Sequence, residues 1–349
     1  MTPPRGPRWR PRYLAIALLA VVLVIAGVIG GRVWLTLHQV LPGGGLTQPI
    51  DGRYNIALLG ADSASWRDGA RVDSTTIASI DATTGRTLLI SVPRNLVLIP
   101  FPPSSPLAAL YPTGYVCPDQ ATAPCMLTMV YQTGLDRADL YPHVPDPGAQ
   151  ATVEALEGIT GLTINYYAFI DMDGFTALID AIGGIDLTIR TRLPVGASGQ
   201  AMYWIEPGRH HFSGSEALWY VRTRVGSDDY TRMARQKCLI LATLDQLDAS
   251  AIANHFMAVS AAASQTAHTN IPLSQVPTLA ALSRQAMSWT VSGLSLTPPL
   301  VDPLRPDYAQ IGHLVQSALA EVDGLDAGSP ATSGPSTAAT TDLTTTCGF

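Results

Sequence analysis

"RVDSTTIASIDATTGRTLLISVPRN" runs from Arg71 to Asn95. Two β-rich segments, "STTIASI" and "RTLLISV", flank "DATTG", a pattern that predicts a hairpin with a glycine-closed turn. The start of a hairpin's first strand and the end of its second lie at the same edge, so Asp73 and Arg94 come together whatever the rest of the chain does. Upstream, "YNIALLG" (54–60) reads as a further strand, with Asp62 just beyond it. If that strand runs antiparallel to the hairpin's first, Asp62 joins the same edge. Ligands bind at strand ends in open α/β sheets. Two carboxylates brought together repel, and such pairs commonly hold a cation. With oxygen ligands and a phosphate nearby, Mg²⁺ is the usual ion. The competing reading makes Asp62 and Asp73 plain turn and cap residues.

Outward from the hairpin, strand-like and helix-like segments alternate. Residues 100–147 are rich in proline and short on periodicity, a long excursion. "QATVEALEGITG" from Gln150 has helical spacing and a glycine stop, and "INYYAFI" reads as a strand. "DGFTALIDAIGG" predicts a helix capped by Asp173 and ended by two glycines, followed by the strand "IDLTI". Ser213 and Glu216 have capping-box spacing. "QKCLILATLDQL" predicts a long helix, the alanine-rich stretches 251–263 and 279–287 two more, and "DYAQIGHLVQSALAEV" a last one. The class is α/β with a mostly buried sheet.

The first 35 residues differ from the rest. Tyr13–Gly31 carries no charge and, with Val33–Leu35, reaches the ~20 residues that span a bilayer. Arg5, Arg8, Arg10 and Arg12 precede it without an acid, which predicts a cytoplasmic N-terminus and everything after about Leu37 outside. A cleaved signal peptide is the rival, but no small-x-small site follows the apolar run. The expected organisation is a basic tail (1–12), a transmembrane helix (13–35), a Gly/Pro linker (36–53), an extracytoplasmic domain (54–325, with a motif core 54–245 and a helical extension 246–325) and a low-complexity, disordered tail (326–349) unless Cys347 ties it down.

Of 21 lysines and arginines, five lie in residues 1–35, which leaves 16 bases against 27 acids and a net charge of −11 for the remainder. Nucleic acid is excluded as a partner on that balance. Cys117 and Cys125 bracket a short loop and form the natural disulfide in an oxidising compartment, leaving Cys238 to pair with Cys347. GxSxG, HExxH, Walker and GxGxxG motifs are absent, and the seven histidines show no ligand spacing.

Acid and arginine remain. "YVRTRVGSDDYTRMARQ" (220–236) gathers Arg222, Arg224, Arg232 and Arg235 in an acidic chain. As a strand, its first part places Arg222 and Arg224 on one face. As a helix, its last part places Arg232, Arg235 and Gln236 on one face. The two sets then aim planar guanidinium forks at one place, which suits an anion with several oxygens such as a diphosphate. The bland alternative is surface pairing with Asp228 and Asp229, and it applies most to Arg235.

These segments together resemble the LytR–CpsA–Psr family of cell-envelope glycopolymer transferases. "NIALLGADS", "RVDSTTIASID…GRTLLISVPRN", "YYAFIDMDGFTALIDAIGGIDL" and "GRHHFSGSEALWYVRTR…DDYTRMARQ" match its successive blocks in order, over about residues 54–245. The family's "NAAYAYGG" block appears here only as "LTMVYQTGL". The resemblance implies a three-layer αβα sandwich around a mixed sheet, a single-pass type II membrane protein, and an apolar groove for a polyprenyl lipid. It implies transfer of a glycopolymer from a polyprenyl diphosphate carrier to a peptidoglycan acceptor with Mg²⁺. By position it implies metal and diphosphate contact for Asp62 and Asp73, and diphosphate contact for Arg94, Arg222, Arg224 and Arg232, with Gln236 beside them. Arg71 matches the arginine before the family's second acid. Asp73, Arg94 and Arg71 are thus the expected catalytic residues, with Asp73, or Arg71 acting through it, as a candidate base. A polyprenyl diphosphate hydrolase and a non-catalytic lipid-carrier-binding protein are the alternatives.

Overall fold

The computed structural model describes residues 48–62, 71–117, 125–197, 200–246, 267–272, 275–286, 288–324 and 340–347. The apolar stretch 13–35, most of the linker, the alanine-rich stretch 251–263 and residues 326–339 lie outside the described residues. Among the described residues, no helix is long and apolar enough to cross a membrane.

The chain enters through β1 (Arg53–Ala61), which pairs antiparallel with β2 (Val72–Asp81); β2 turns back into β3 (Thr87–Val92). Helices α1 (Val130–Asp136) and α2 (Pro147–Thr160) lead to β4 (Tyr166–Ile170), parallel to β1. Helix α3 (Met172–Ala181) is followed by β5 (Ile185–Ile189), the hairpin of β6 (Leu193–Ala197) and β7 (Gln200–Ile205), β8 (Gly208–Phe212) and α4 (Gly214–Arg222). Helix α5 (Asp229–Gln246) returns to the main sheet, followed by β9 (Ala267–Thr269), α6 (Val276–Ala286), β10 (Ser292–Ser295), α7 (Tyr308–Gly324), β11 (Thr340–Asp342) and α8 (Leu343–Cys347). The result is a mixed seven-stranded sheet in the order β11-β10-β3-β2-β1-β4-β9, with β5–β8 and β6–β7 as separate two-stranded ladders.

The period-2 alternation of the strands sends apolar side chains to both faces. Leu59, Ile77, Leu88 and Ile90 pack against Leu156 and Ile159 of α2 and Val315 and Leu319 of α7. Ala78 and Leu89 face the other way, onto Leu241 of α5 and Leu343 of α8. Each such leucine contributes roughly 1.5–3 kcal/mol of burial, and helices on both faces explain why β1 and β3 read as mostly apolar runs.

Three sequence expectations are corrected here, and a fourth, the conditional one on the tail, is decided by its disulfide. The helix at 172–181 is capped by Asp171, whose side chain accepts from Gly174 N, and Asp173 lies inside its first turn. The excursion at 100–147 is not structureless: it carries α1, and α2 packs against its start so closely that a Cβ on Gly158 would lie 1.9 Å from the Pro100 carbonyl oxygen. The segment at 220–224 is no strand, because the capping box of Ser213 and Glu216 starts a helix that continues through Arg222. The low-complexity tail ends in order: β11 pairs with β10, and Cys347 is bonded to Cys238 in α5, with Cα atoms 5.3 Å apart. Cys117 and Cys125 form the other disulfide, with Cα atoms 5.4 Å apart.

Candidate active site

The antiparallel pairing of β1, β2 and β3 sets Asp62, Asp73 and Arg94 at one edge of the sheet. Arg94 Nη1 lies 2.7 Å from Asp73 Oδ2, and Thr128 Oγ1 donates to Asp73 Oδ1 at 2.9 Å. Arg232, in the first turns of α5, donates to the Asp73 carbonyl at 3.0 Å and to Asp229 Oδ2 at 3.1 Å. Asp229 is the hub of this side: its Oδ1 lies 3.4 Å from Arg94 Nη2 and 3.9 Å from Arg224 Nη1. At the C-terminus of α4, Arg222 Nη2 donates to Asp62 Oδ1 at 3.2 Å. Ser74 Oγ donates to Gln236 Oε1 at 3.1 Å, tying β2 to α5 one turn beyond Arg232.

Burial pushes Asp73 up, but the charge and hydrogen bond of Arg94, the hydrogen bond of Thr128 and the charge of Arg232 outweigh it and hold the carboxyl below its ordinary value. Burial pushes Arg94 down, yet the charge and hydrogen bond of Asp73, with the charges of Asp229 and Asp62, leave it raised. Arg232 is lowered by burial first, and Arg94 and Arg224 add to that against the pull of Asp229 and Asp73. Asp73 is therefore a standing negative charge, poorly suited to accept a proton.

These groups rim one end of a groove of about 490 Å³. Asp62, Asp73, Arg94, Arg222, Arg224, Arg232 and Gln236 all line it. Beyond them the walls are apolar: Leu58 and Leu59 of β1, Phe169 of β4, Phe175 and Leu178 of α3, Leu218 and Val221 of α4, Leu239 and Ile240 of α5. A site with several cations at one end and an apolar length behind it accommodates an amphiphile with an anionic head.

Arg71, a predicted site residue, and Arg235, to which the bland reading applied most, stand apart. Arg71 is exposed and outside the groove lining; its carbonyl accepts from Asp62 N. Arg235 does not share the face of Arg232 and Gln236. It is buried and donates to the carbonyls of Tyr220 (2.9 Å) and Thr223, closing the end of α4. Arg222 and Arg224 reach the groove from a helix end and the loop after it, so strand alternation is not what brings them together. Thr128 and Asp229 were not singled out as site residues. Thr128 lies in the excursion, where the sequence has no periodicity, and Asp229 looked like a surface partner when its three-residue spacing to Arg232 was the available signal.

The chain belongs to the LytR_cpsA_psr family, whose model matches residues 45–302. It is 25% identical over 232 residues to Biofilm regulatory protein A of Streptococcus mutans, covering 63% of this chain and 50% of that protein. It is 27% identical over 259 residues to the polyisoprenyl-teichoic acid–peptidoglycan teichoic acid transferase TagU of Oceanobacillus iheyensis, covering 68% and 70%. The chain thus spans only half the length of the first of these relatives. The crystal structure of Bacillus subtilis TagV shares the fold, with a TM-score of 0.55 at 23% identity over 79% of this chain and 98% of that one.

Proposed function

We propose that this protein is a membrane-anchored phosphotransferase that moves a glycopolymer from a polyprenyl diphosphate carrier to a peptidoglycan acceptor. The observation that carries the reading is the groove itself, with guanidiniums and carboxylates at one end and an apolar length behind them. The family membership and the transferase name of the TagU relative support it. The apolar stretch 13–35 supplies the anchor, with the catalytic domain outside.

The lipid tail lies along Leu58, Phe169, Phe175 and Leu239, and the diphosphate lies among Arg94, Arg222, Arg224 and Arg232. The acceptor hydroxyl oxygen attacks the sugar-proximal phosphorus, a new P–O bond forms, and the bond to the bridging oxygen breaks with its electron pair leaving on polyprenyl phosphate. The hydroxyl proton departs with the leaving phosphate or to water. Neutralising the diphosphate is the main catalytic task in such a transfer, and the arginines perform it. Asp73, held ionised by Arg94, acts by charge and position rather than as a base.

Mg²⁺ fits the residues present. Among the described residues no group of three His, Cys, Asp or Glu side chains is placed to hold an ion alone. Asp62 and Asp73 nonetheless offer carboxylate oxygens to the same groove, and Mg²⁺ is commonly held by one or two carboxylates together with substrate phosphates. Bound there, it would neutralise charge on the diphosphate oxygens.

Incubating the full chain in detergent with a polyprenyl diphosphate oligosaccharide, Mg²⁺ and wall fragments tests the proposal. Glycan linked to the wall is expected. Free inorganic phosphate or sugar phosphate instead would make it a hydrolase, and binding without turnover would leave a carrier-binding protein.

A further inference from the structure

Thr128 lies outside the groove lining, yet it touches both members of the Asp73–Arg94 pair. Its amide donates to the Arg94 carbonyl at 3.0 Å and its hydroxyl to Asp73 Oδ1 at 2.9 Å. It sits in a single 3₁₀ turn, Leu127–Met129, where the proline-rich excursion returns to the edge of the sheet. Backbone and core fix that return. Val97 and Met126 form an antiparallel bridge, Leu127 N donates to the Leu96 carbonyl at 3.0 Å, and Cys125, bonded to Cys117, stands one residue before the bridge. The Leu127 side chain is buried in the main core. The turn is therefore anchored without the Thr128 hydroxyl, and what that hydroxyl acts on is Asp73.

The two restraints on the Asp73 carboxylate differ in kind. Arg94 Nη1 lies 2.7 Å from Oδ2, but a guanidinium at the groove edge is drawn equally to phosphate oxygens. Thr128 carries no charge for a phosphate to attract. It is buried, its β-branched side chain is stiff, and its one proton is committed to Oδ1. An ionised carboxylate has about four acceptor positions. Thr128 and Arg94 occupy two of them, so others remain for a ligand in the groove that Asp73 lines. Once a diphosphate engages Arg94, Thr128 is the side-chain restraint that stays on this carboxylate among the described residues.

We propose that Thr128 is a positioning residue: its hydroxyl holds the Asp73 carboxylate in place for Mg²⁺ when the diphosphate draws Arg94 away. This deepens the function proposed above and rests on it. Hydrogen-bonding partners that orient a metal-ligating side chain commonly change metal affinity by about ten- to a hundredfold when they are removed. Thr128 acts through Asp73 alone, so its loss should show in the metal requirement and not in the grip of the arginines on the diphosphate.

The test uses the full chain in detergent and follows binding of geranylgeranyl diphosphate in EDTA and across an Mg²⁺ titration. The parent should bind this probe in EDTA through its arginines, and more tightly as Mg²⁺ is added. Thr128→Val keeps the shape and removes the donor. It should leave the EDTA affinity within about twofold, leave the midpoint of urea unfolding little changed, and raise the Mg²⁺ concentration that gives half of the gain by about tenfold or more. Thr128→Ala, which removes the donor without a second branch, should behave in the same way. Thr128→Ser keeps the donor and gives up the methyl group, and should restore the parent's Mg²⁺ requirement to within about threefold. The parent's requirement persisting in the Val and Ala variants would overturn the proposal. A Ser variant as impaired as Val would overturn it too, by assigning the effect to packing, and equal losses with and without Mg²⁺ would do so by assigning it to the loop. A parent that gains nothing from Mg²⁺ would remove the metal from the proposed function and this inference with it. A parent that gains, with Val and Ala variants that gain equally, would remove this inference alone.

Discussion

The two ends of the central sheet both gather arginines, and they use them differently. At the end where β1 begins, Arg53 is buried and donates to Ser79 Oγ at 2.8 Å and the Ser79 carbonyl at 2.9 Å, and pairs with Asp323 at 2.6 Å. Arg86 beside it is buried and donates to the carbonyls of Val322 and Asp323 at 3.1 Å each, at the C-terminus of α7. At the other end, Arg94, Arg222, Arg224 and Arg232 point toward Asp62, Asp73 and Asp229 on the rim of a groove. A guanidinium spent on carbonyls is a strut, because nothing that enters from solvent replaces a carbonyl of the fold. A guanidinium spent on a groove-edge carboxylate is exchangeable, because a phosphate offers the same planar pair of oxygens with more charge.

The largest expected effect breaks the strut end. Arg53→Met removes a buried cation and leaves the buried Ser79 and Arg86 carbonyls without their donor, which should cost about 1–3 kcal/mol of stability for each orphaned group. Urea unfolding measures the loss. Turnover per folded molecule should stay within twofold, and a tenfold drop there would mean that the two ends are coupled. Next in size is Asp73→Asn at the site end. It keeps the shape and removes the charge that Arg94 and Arg232 surround, so transfer should fall about 10²–10³-fold with the midpoint of unfolding little changed. Normal transfer by a folded Asp73→Asn protein would remove Asp73 from the site. Because Asp73 is held below its ordinary value, it stays charged in the folded protein down to lower pH than a free aspartate. The rate should therefore not show an acid limb near pH 6 from this group.

How much of this was legible follows from what fixes each residue. Asp73 and Arg94 were legible because an antiparallel hairpin has one geometry at its edge, and Asp62 followed once β1 proved antiparallel to β2. Arg222 and Arg224 were found by their density, but the local structure was misjudged: two arginines two apart fit a strand, while the capping box that begins at Ser213, upstream of both, was already starting a helix. Thr128 was not legible, since its approach to Asp73 depends on a loop returning across the sheet edge, a long-range event without periodicity. The order in the last eight described residues goes with a disulfide to a cysteine 109 positions earlier; composition alone read as disorder, but pairing the cysteines by elimination named this tie.

Arg232 and Arg235 bring the comparison into a single helix, three residues apart. Arg235 ends on the Tyr220 and Thr223 carbonyls and is a strut; Arg232 divides between the Asp73 carbonyl and the Asp229 carboxylate, and it lines the groove. Arg235→Ala should cost about 1–3 kcal/mol of stability, since two carbonyls at the end of α4 lose their donor, and leave geranylgeranyl diphosphate affinity per folded molecule unchanged. Arg232→Ala should weaken that affinity roughly tenfold. Equal losses of affinity in the two variants would show that the helix end, rather than the guanidinium, is what the ligand senses.

Lys237, the only lysine of the chain, sharpens the contrast by chemistry. It follows Gln236 on α5, is buried, and its ammonium donates to Ser295 Oγ at 2.6 Å. Burial pushes it down to about 8, whereas the arginines keep their charge at any accessible pH. The unfolded chain holds this proton up to about 10.4. Between about pH 8 and 10.4 the unfolded state therefore binds more protons, and this group makes stability rise with pH across that window. Below pH 8 the folded state carries the full penalty of a buried ammonium, on the order of 3 kcal/mol. Lys237→Met removes that penalty together with a hydrogen bond to Ser295 worth about 1 kcal/mol, so at pH 7 the variant should be more stable by about 1–2 kcal/mol. Urea unfolding of parent and variant at pH 7 and pH 9.5 isolates the effect, because every other titrating group is common to both. The variant's advantage should shrink at the higher pH. A variant less stable than the parent at pH 7, with a difference that ignores pH, would mean that the ammonium is compensated in place and that Lys237 is as much a strut as Arg53.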